Sequence, residues 1–499
     1  MTTRLGAVAL AVLLLGSTPG TGVASGQPAW HDCVTGPDDE VGAQLAAVGA
    51  RCAEITVPLD YRRPDGRTVT LAIARRAATD RAHRLGTLLV NTGGPGPSRD
   101  GVFLVAQGIP PIAHGAPEVA ARYDLVGVDP RFFGLSAPLE CGWPTNLALR
   151  NAQYASPDRA SFERSAADAR DLASRCADKA DVLPHASTRN IARDLDRVRA
   201  ALGERKVSYL GWSYGTYLGA VYTQLFPTRL DRVVLDSAIA PDAYGPAAFR
   251  ETAPADAAAL ADWARWAAAR DATYRLGATT GAVLAAVGSL DRGAPFTVGT
   301  HRIERAMVAG LLLTVDDTDA SYAEFAAQVR VLVDAARGQV VTPTPALAAK
   351  LALYEKPEVT PEFGFSATTA NQCADRAASR DPETYYRDIR DHLAAEPLYG
   401  PLARDITPCA FWPTSPVEPP TAITTGHPAL IVGASGDPST PYPGQRALRR
   451  AMGGSRMITL DRAYRHGVYL FDGAACVDGA VDRYLLTGVL PPADVTCSR

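Results

Sequence analysis

Lysine is scarce in this sequence, since only Lys179, Lys206, Lys350 and Lys356 occur among 50 basic residues. None of them follows a glycine, which excludes a phosphate-binding loop of the GxxxxGK[ST] type. The sequence also contains neither HExxH nor CxxC, the usual patterns of zinc sites. We therefore expect a chemistry that uses no metal and no other cofactor.

An excess of charge of either sign is also missing. The 50 basic residues face 53 acidic ones, and the formal net charge at pH 7 is -3. Nucleic acids and anionic membrane surfaces select strongly basic proteins, so this balance favours neither as a partner.

The N-terminus lacks an apolar run long enough to span a bilayer. Arg4 precedes an apolar stretch at 6–15, which is too short for a stable membrane helix. Small residues follow, and those at 22–25 suit cleavage by signal peptidase. We predict a signal peptide at 1–25 and a secreted protein that has no membrane anchor once this segment is removed.

The eight cysteines fit export, because an even number in an oxidising compartment indicates disulfides. Buried free thiols are the alternative. Neighbour order along the chain predicts the pairs Cys33–Cys52, Cys141–Cys176, Cys373–Cys409 and Cys476–Cys497.

Hydrophobic patterning predicts strands alternating with helices, which is typical of the α/β class. The predicted strands number eight and lie at 54–59, 68–76, 86–91, 123–129, 207–212, 232–238, 427–434 and 456–460. Between the sixth and seventh, residues 242–425 are Ala-rich and helical in pattern. We predict a mostly parallel sheet built from 26–241 and 426–499, with 242–425 inserted as a helical lid.

A Gly-x-Ser-x-Gly sequence spans Gly211 to Gly215, between the fifth strand and a helical segment. Two glycines let a strand and a helix approach closely, which leaves the serine between them on a strained turn with its oxygen exposed. Ser213 is therefore our candidate nucleophile.

A serine nucleophile needs a base, and the base needs an orienting acid. His466 is the one histidine after the final predicted strand, and Asp437 lies in the tight loop leaving the seventh. The chain order Ser213, Asp437, His466 is that of the α/β-hydrolases. Asp236, at the end of the sixth strand, is the rival for the acid.

The oxyanion that forms on the attacked carbonyl requires preorganised donors. The backbone N–H of Tyr214, directly after the nucleophile, is one candidate. The other is the backbone at Gly94, in a glycine-rich loop after the third strand.

From about Trp30 to Cys497 the chain resembles the secreted tripeptidyl aminopeptidases of actinobacteria, a branch of the α/β-hydrolases that includes prolyl aminopeptidases. The segments that carry this resemblance are NTGGPGPS at 91–98, VGVDPRFFGLS at 126–136, SYLGWSYGTYLGA at 208–220 and ASGDPSTP at 434–441. The resemblance implies hydrolysis of an amide bond near a free peptide N-terminus through an acyl-serine.

Three departures from the family pattern bear on substrate preference. Phe132 replaces a glycine of the family's Asp-Pro-Arg-Gly, and its ring is expected to narrow the cleft. Arg465 replaces a glycine before the histidine, and Pro97 removes a backbone donor from the glycine-rich loop.

The substrate is thus expected to be a peptide or a small amide. An extracellular amidase or deacetylase acting on an N-acylated small molecule, such as an antibiotic precursor, is the alternative within enzymes. A catalytically silent binding protein on a hydrolase scaffold is the alternative outside them.

Recognition of a free N-terminus needs a carboxylate for the substrate ammonium. Asp375 is our candidate, because a disulfide at Cys373 would hold it rigidly and members of the family tend to carry an acid near that cysteine. A solvated surface carboxylate is the competing interpretation.

Overall fold

A computed structural model describes residues 27–314 and 316–499, and the predicted signal peptide at 1–25 lies outside them. In the described chain the main sheet has nine strands. They are β1 (Arg51–Pro58), β2 (Thr68–Arg76), β3 (Gly86–Asn91), β4 (Tyr123–Val128), β5 (Val207–Trp212), β6 (Leu230–Asp236), β7 (Leu430–Ala434), β8 (Arg456–Leu460) and β9 (Val495–Cys497).

The spatial order of the sheet is β1-β2-β4-β3-β5-β6-β7-β8-β9. The pairs β1/β2 and β2/β4 are antiparallel, and every other pairing is parallel. The predicted α/β class with a mostly parallel sheet is confirmed.

The prediction of eight strands was wrong by one, because β9 was missed. β9 has three residues, too few for a periodic pattern, and pairs in parallel with the end of β8. A disulfide between Cys476 and Cys497 holds it there. His466 therefore follows the penultimate strand of the sheet.

The central strands are buried on both faces, which explains their unbroken apolar runs. In β5, Val207 and Tyr209 belong to one hydrophobic cluster, whereas Leu210 and Trp212 belong to another. Successive side chains of a strand point to opposite faces, so the sheet separates two cores.

Helices cover both of these faces. Before β6 they are Glu40–Ala47, Gly101–Gln107, Pro117–Arg122, Thr145–Gln153, Arg159–Arg175, Thr188–Ala201 and Tyr214–Leu225, and after β7 they are Tyr442–Ala451 and Ala475–Thr487.

The insertion, defined as the chain between β6 and β7, is mainly helical. Its helices are Ala253–Ala268, Asp271–Tyr274, Thr280–Arg292, Arg305–Leu311, Asp319–Ala336, Pro345–Glu355, Phe365–Asp375, Pro382–His392 and Gly400–Ala403, and Phe296–Val298 pairs with His301–Ile303 as a short hairpin.

Three cores receive parts of the insertion, and in the smallest of them Tyr385 and Ile389 pack against Phe162. Most helices of the insertion pack around Trp263 in a cluster of their own, to which Leu149 also contributes. The helix Phe365–Asp375 instead places Ala370 and Ala374 in one of the sheet cores. This second attachment brings part of the insertion against the elements that surround Ser213.

All eight cysteines lie in the described chain, and they form four disulfides. The bonds join Cys33 to Cys52, Cys141 to Cys176, Cys373 to Cys409 and Cys476 to Cys497. These are the pairs that neighbour order suggested. Among the described helices, none has the length and apolar character needed to cross a bilayer.

Candidate active site

Ser213 occupies a sharp turn between β5 and the helix Tyr214–Leu225. Its φ of 53° lies in the left-handed region, which is rare for a residue with a side chain and costs about 1–3 kcal/mol. Both flanking glycines are sterically required. A Cβ on Gly211 would lie 2.6 Å from the Gly215 carbonyl oxygen, and one on Gly215 would lie 2.6 Å from Oδ1 of Asn91.

Asp437 and His466 form a hydrogen-bonded pair at the ends of β7 and β8. The His466 Nδ1 atom lies 3.1 Å from each oxygen of the Asp437 carboxylate. Asp437 is buried, and the loop that carries it donates from the Ser439 N–H at 2.9 Å and the Thr440 N–H at 3.0 Å. The Asp437 carboxylate is thus hydrogen-bonded both to the His466 ring and to backbone N–H groups of its own loop.

Electrostatics favour the protonated form of His466. Burial lowers its pKa, but the negative charge of Asp437, its hydrogen bond and the charge of Asp236 outweigh this, so the pKa is raised above 6.5. A histidine in this setting can accept a proton and have the resulting charge stabilised.

Asp236, the rival acid, serves the backbone of the histidine loop. Its Oδ2 accepts hydrogen bonds from the N–H groups of Val468 at 3.0 Å and Tyr469 at 2.7 Å, and Ser237 donates to Oδ1. Burial raises the pKa of Asp236 to about 6. The two aspartates therefore have different contacts. Asp437 contacts the imidazole ring of His466, and Asp236 contacts the backbone of the loop that carries this ring.

A cavity of about 600 Å³ opens above Ser213 and is lined by Gly94, Ser213 and Asp437. Most of its wall is apolar and comes from the first part of the insertion: Ile239, Ala240, Ala243, Tyr244, Ala248, Phe249, Pro254, Ala255 and Ala258. Glu251 and Asp437 are the carboxylates among its lining residues in the described chain. The volume lies in the usual range for small-molecule sites.

The glycine-rich loop after β3 meets the turn that carries Ser213 at close range. Gly93 and Gly94 both have a φ of 100°, and a Cβ on Gly93 would lie 2.8 Å from the Trp212 carbonyl oxygen. The buried Asp129 holds this loop, because it accepts from the Ser98 N–H at 2.9 Å and from Nε of Arg99 at 2.9 Å.

Asp375 does not lie where the substrate contact was predicted. Its carboxylate is buried and accepts from the Thr188 N–H at 2.7 Å and the Thr188 hydroxyl at 2.5 Å. Thr188 begins the helix Thr188–Ala201, whose first N–H groups need acceptors, and Asp375 supplies one from another element. It is absent from the cavity lining described above.

Phe132 also differs from its predicted place in the cleft. It is 4% exposed and belongs to a sheet core together with Phe133. Its φ of 75° is a conformation that suits glycine, the residue that the family pattern has there. The ring turns inward because the core offers it apolar neighbours.

Sequence reasoning missed two residues of this region. Glu251 lines the cavity, yet its surroundings in the sequence mark it only as one of many insertion acids. Gln445 is fully buried and donates to Asp437, three residues before the buried Leu448. A glutamine on the apolar face of a helix was the available signal for this second residue.

A mostly parallel sheet with a Gly-x-Ser-x-Gly turn between its fifth strand and the following helix is the arrangement of the α/β-hydrolases. The family model described as alpha/beta hydrolase fold matches residues 86–299, and that of TAP-like protein matches residues 396–497. Tripeptidyl aminopeptidase of Streptomyces coelicolor is 35% identical over 465 residues, covering 90% of this chain and 83% of its own.

Serine protease Hip1 of Mycobacterium tuberculosis is 31% identical over 477 residues, covering 90% of this chain and 87% of its own. An epoxide hydrolase from an endophytic Streptomyces has a TM-score of 0.39 and 16% identity, covering 90% of this chain and 99% of its own. The chain belongs to the tripeptidyl aminopeptidase family, and the relatives support a serine hydrolase.

Proposed function

We propose that this protein is a secreted serine peptidase that cleaves an amide bond near the free N-terminus of a peptide through an acyl-serine. The observation that carries the proposal is the common cavity of Ser213 and Asp437, with His466 held 3.1 Å from both oxygens of that carboxylate. The four disulfides support export, since such bonds persist in oxidising compartments.

The chemical steps follow from these positions. With Nδ1 engaged by Asp437, His466 uses Nε2 to take the proton of the Ser213 hydroxyl as the oxygen attacks the carbonyl carbon. The C–N bond then breaks, and His466 returns that proton to the leaving amine. Water then attacks the acyl-serine. His466 takes a proton from the water and returns it to the Ser213 oxygen, which releases the carboxylic acid product.

The oxyanion is assigned to two backbone donors, the N–H of Tyr214 and that of Gly94. Tyr214 begins a twelve-residue helix, whose N-terminal end attracts negative charge. Gly94 lines the same cavity as Ser213.

Glu251 takes the role that the sequence suggested for Asp375. A substrate ammonium in a largely apolar cavity needs a carboxylate nearby, and Glu251 lies in the wall, whereas Asp375 is occupied by Thr188. Tripeptides with small apolar side chains suit the alanine-rich wall.

Chromogenic peptides with free and with acetylated N-termini test this proposal. We expect the wild-type protein to prefer the free amine, and Glu251→Gln to raise KM for free peptides about tenfold or more while leaving a small ester without an amine unaffected. Asp375→Asn is the matched comparison, and it should disturb both substrates alike through the fold.

If the protein prefers the acetylated substrates, the proposed peptidase activity is wrong and an amidase or deacetylase activity takes its place. Failure to turn over any amide or ester would leave a binding protein on a hydrolase scaffold.

A further inference from the structure

Gln445 is a fully buried polar residue that contacts the proposed catalytic acid from outside its loop. It belongs to the helix Tyr442–Ala451, which follows the Asp437 loop. Its side-chain nitrogen donates to Oδ2 of Asp437 at 3.2 Å and to the carbonyl oxygen of Thr440 at 2.8 Å.

The orientation of this amide is fixed by its neighbours. Rotating it by 180° would place its oxygen against two acceptors, the carboxylate of Asp437 and the carbonyl of Thr440. The nitrogen must therefore face them, and the oxygen must face β7. A Cβ on Gly433 would lie 1.7 Å from that oxygen, so the strand carries a glycine there.

In this orientation the oxygen of Gln445 has no hydrogen-bond partner among the described residues. An unpaired buried carbonyl lowers the stability of the folded state, since it loses its hydration without compensation. A hydrocarbon side chain of the same length would fill the space without that loss. Features that cost stability persist chiefly where function requires them.

The amide of Gln445 completes a set of hydrogen bonds that holds both oxygens of the Asp437 carboxylate. Oδ1 of Asp437 accepts the N–H groups of Ser439 and Thr440, and Oδ2 accepts the Thr440 hydroxyl at 2.7 Å and the Gln445 amide. Because both oxygens are fixed, the carboxylate cannot rotate about its Cβ–Cγ bond. Gln445 is the donor that ties this plane to the following helix.

We propose that Gln445 is a positioning residue, which holds the Asp437 carboxylate in the plane that His466 requires at the expense of an unpaired oxygen of its own. This inference rests on the proposed function, in which Asp437 orients His466. It adds a residue that touches neither substrate nor the reacting atoms.

The hydrogen bond from the Gln445 amide also offsets part of the negative charge of the Asp437 carboxylate. Without it, more of that charge acts on His466, which favours the protonated ring and moves the acidic limb of activity to higher pH. Asp236 on β6 and Asp256 on the insertion helix Ala253–Ala268 act on the pair through their charge, and Arg465 adjoins His466 and is paired with Asp472. Glu251 and Arg462 line the cavity together with Asp437. Variants of Gln445 leave all of them unchanged.

Gln445→Met tests the inference, because methionine has the same length and no donor. We expect kcat for a peptide substrate to fall about tenfold with KM little changed, as for the loss of one hydrogen bond to a charged group. The acidic limb should move to higher pH by about 0.3 units or more. The midpoint of thermal unfolding should change little, because the unpaired oxygen of Gln445 and its two donated hydrogen bonds disappear together.

Gln328→Met is the matched control. Gln328 also donates from a helix to a carbonyl, that of Leu311 at 2.7 Å, but it lies in the insertion outside the proposed machinery. Its loss should lower the unfolding midpoint and leave kcat and the pH profile unchanged.

Gly433→Ala perturbs the same contact while Gln445 stays in the chain. The added methyl displaces the amide, so kcat should fall as in Gln445→Met. In a Gln445→Ala background the same methyl should have little further effect, because the atom it meets is gone. This pair of variants decides the matter if Gln445→Met does not fold.

A Gln445→Met protein that is less stable but has wild-type kcat and pH profile would overturn the inference. So would additive effects of Gly433→Ala and Gln445→Ala. If Asp437→Asn itself keeps full activity, the proposed function fails as well, and the two failures are thereby distinguished.

Discussion

At the scale of single residues, two aspartates surround one histidine, and their hydrogen bonds separate their roles. Asp437 contacts the ring of His466 through both oxygens. Asp236 is saturated by backbone donors from Val468 and Tyr469 and reaches the ring only through its charge. Replacing each by asparagine removes a different interaction.

Asp437→Asn is expected to lower kcat by about 10⁴-fold, because an amide favours the wrong tautomer of the histidine. Asp236→Asn keeps an oxygen for the backbone donors, so kcat should fall by no more than about tenfold. Steady-state kinetics on one peptide substrate measure both. A reversed order of the two effects would assign the acid to β6.

The residue scale also shows what the linear sequence carries. Ser213 and its glycines form one local turn, so the motif was sufficient to place the serine. Asp375 and Thr188 are 187 positions apart, and only tertiary packing reveals that one caps the other's helix. Gln445 depends on the rotation of its helix about the axis, which the sequence around it leaves open.

At the scale of elements, an ion network ties the histidine loop to the insertion. Asp472 accepts from Arg465 at 3.2 Å and from Arg499 at 2.6 Å. Arg499 also reaches Asp317 of the insertion, and Asp317 accepts the N–H of Tyr464 at 2.7 Å. The loop that carries His466 is therefore anchored on both sides.

Asp472→Asn should lower the free energy of unfolding by about 2 kcal/mol, because Arg465 and Arg499 lose the carboxylate charge that they share, whereas Arg465 keeps its bond to the Gly467 carbonyl oxygen. A lower kcat should accompany this, since Arg465 adjoins His466. Denaturant unfolding and kinetics measure the two effects.

Asp171→Asn is the control for that measurement. Asp171 pairs with Arg175 on an exposed helix surface, and such pairs contribute about 0.5 kcal/mol or less. Equal losses in both variants would refute the structural role of the network.

Element boundaries were largely accessible from the sequence where patterns were long. The strands at 68–76, 86–91, 207–212 and 456–460 were predicted at the bounds that the structure has. β9 escaped because three residues carry no period and a disulfide holds them. The division of the insertion among three cores was equally hidden, since it depends on how helices such as Phe365–Asp375 pack.

At the scale of the whole molecule, several carboxyl groups are wholly or largely buried and have no ion-pair partner among the described residues. Burial raises the pKa of two of them to about 6 and of three to about 7, and these are Asp100, Asp236, Asp256, Asp375 and Asp405. Unfolding returns each to an ordinary value near 4. The folded state thus binds more protons than the unfolded state between these values.

The stability of the folded state should therefore fall as pH rises from about 4 to about 7. A carboxyl group with a raised pKa in the folded state stabilises it fully below its unfolded-state pKa, and this contribution is lost as pH rises through its folded-state pKa. Thermal unfolding across this range measures it, with a midpoint several degrees lower at the upper end. Asp405→Asn should flatten part of the slope, since the hydroxyls of Ser156 and Ser165 can still bond the amide. A midpoint that rises steadily across the same range would contradict this expectation.

The central claim is that Ser213 is a nucleophile activated by His466, and covalent labelling tests it most directly. A fluorophosphonate should modify the wild-type protein at Ser213, located by peptide mapping, and should leave Ser213→Ala unlabelled. His466→Ala should label at least about 10³-fold more slowly, because the hydroxyl loses its base. In the same preparations, peptide hydrolysis should disappear with the label. A folded Ser213→Ala protein that still labels or still cleaves peptides would contradict the account.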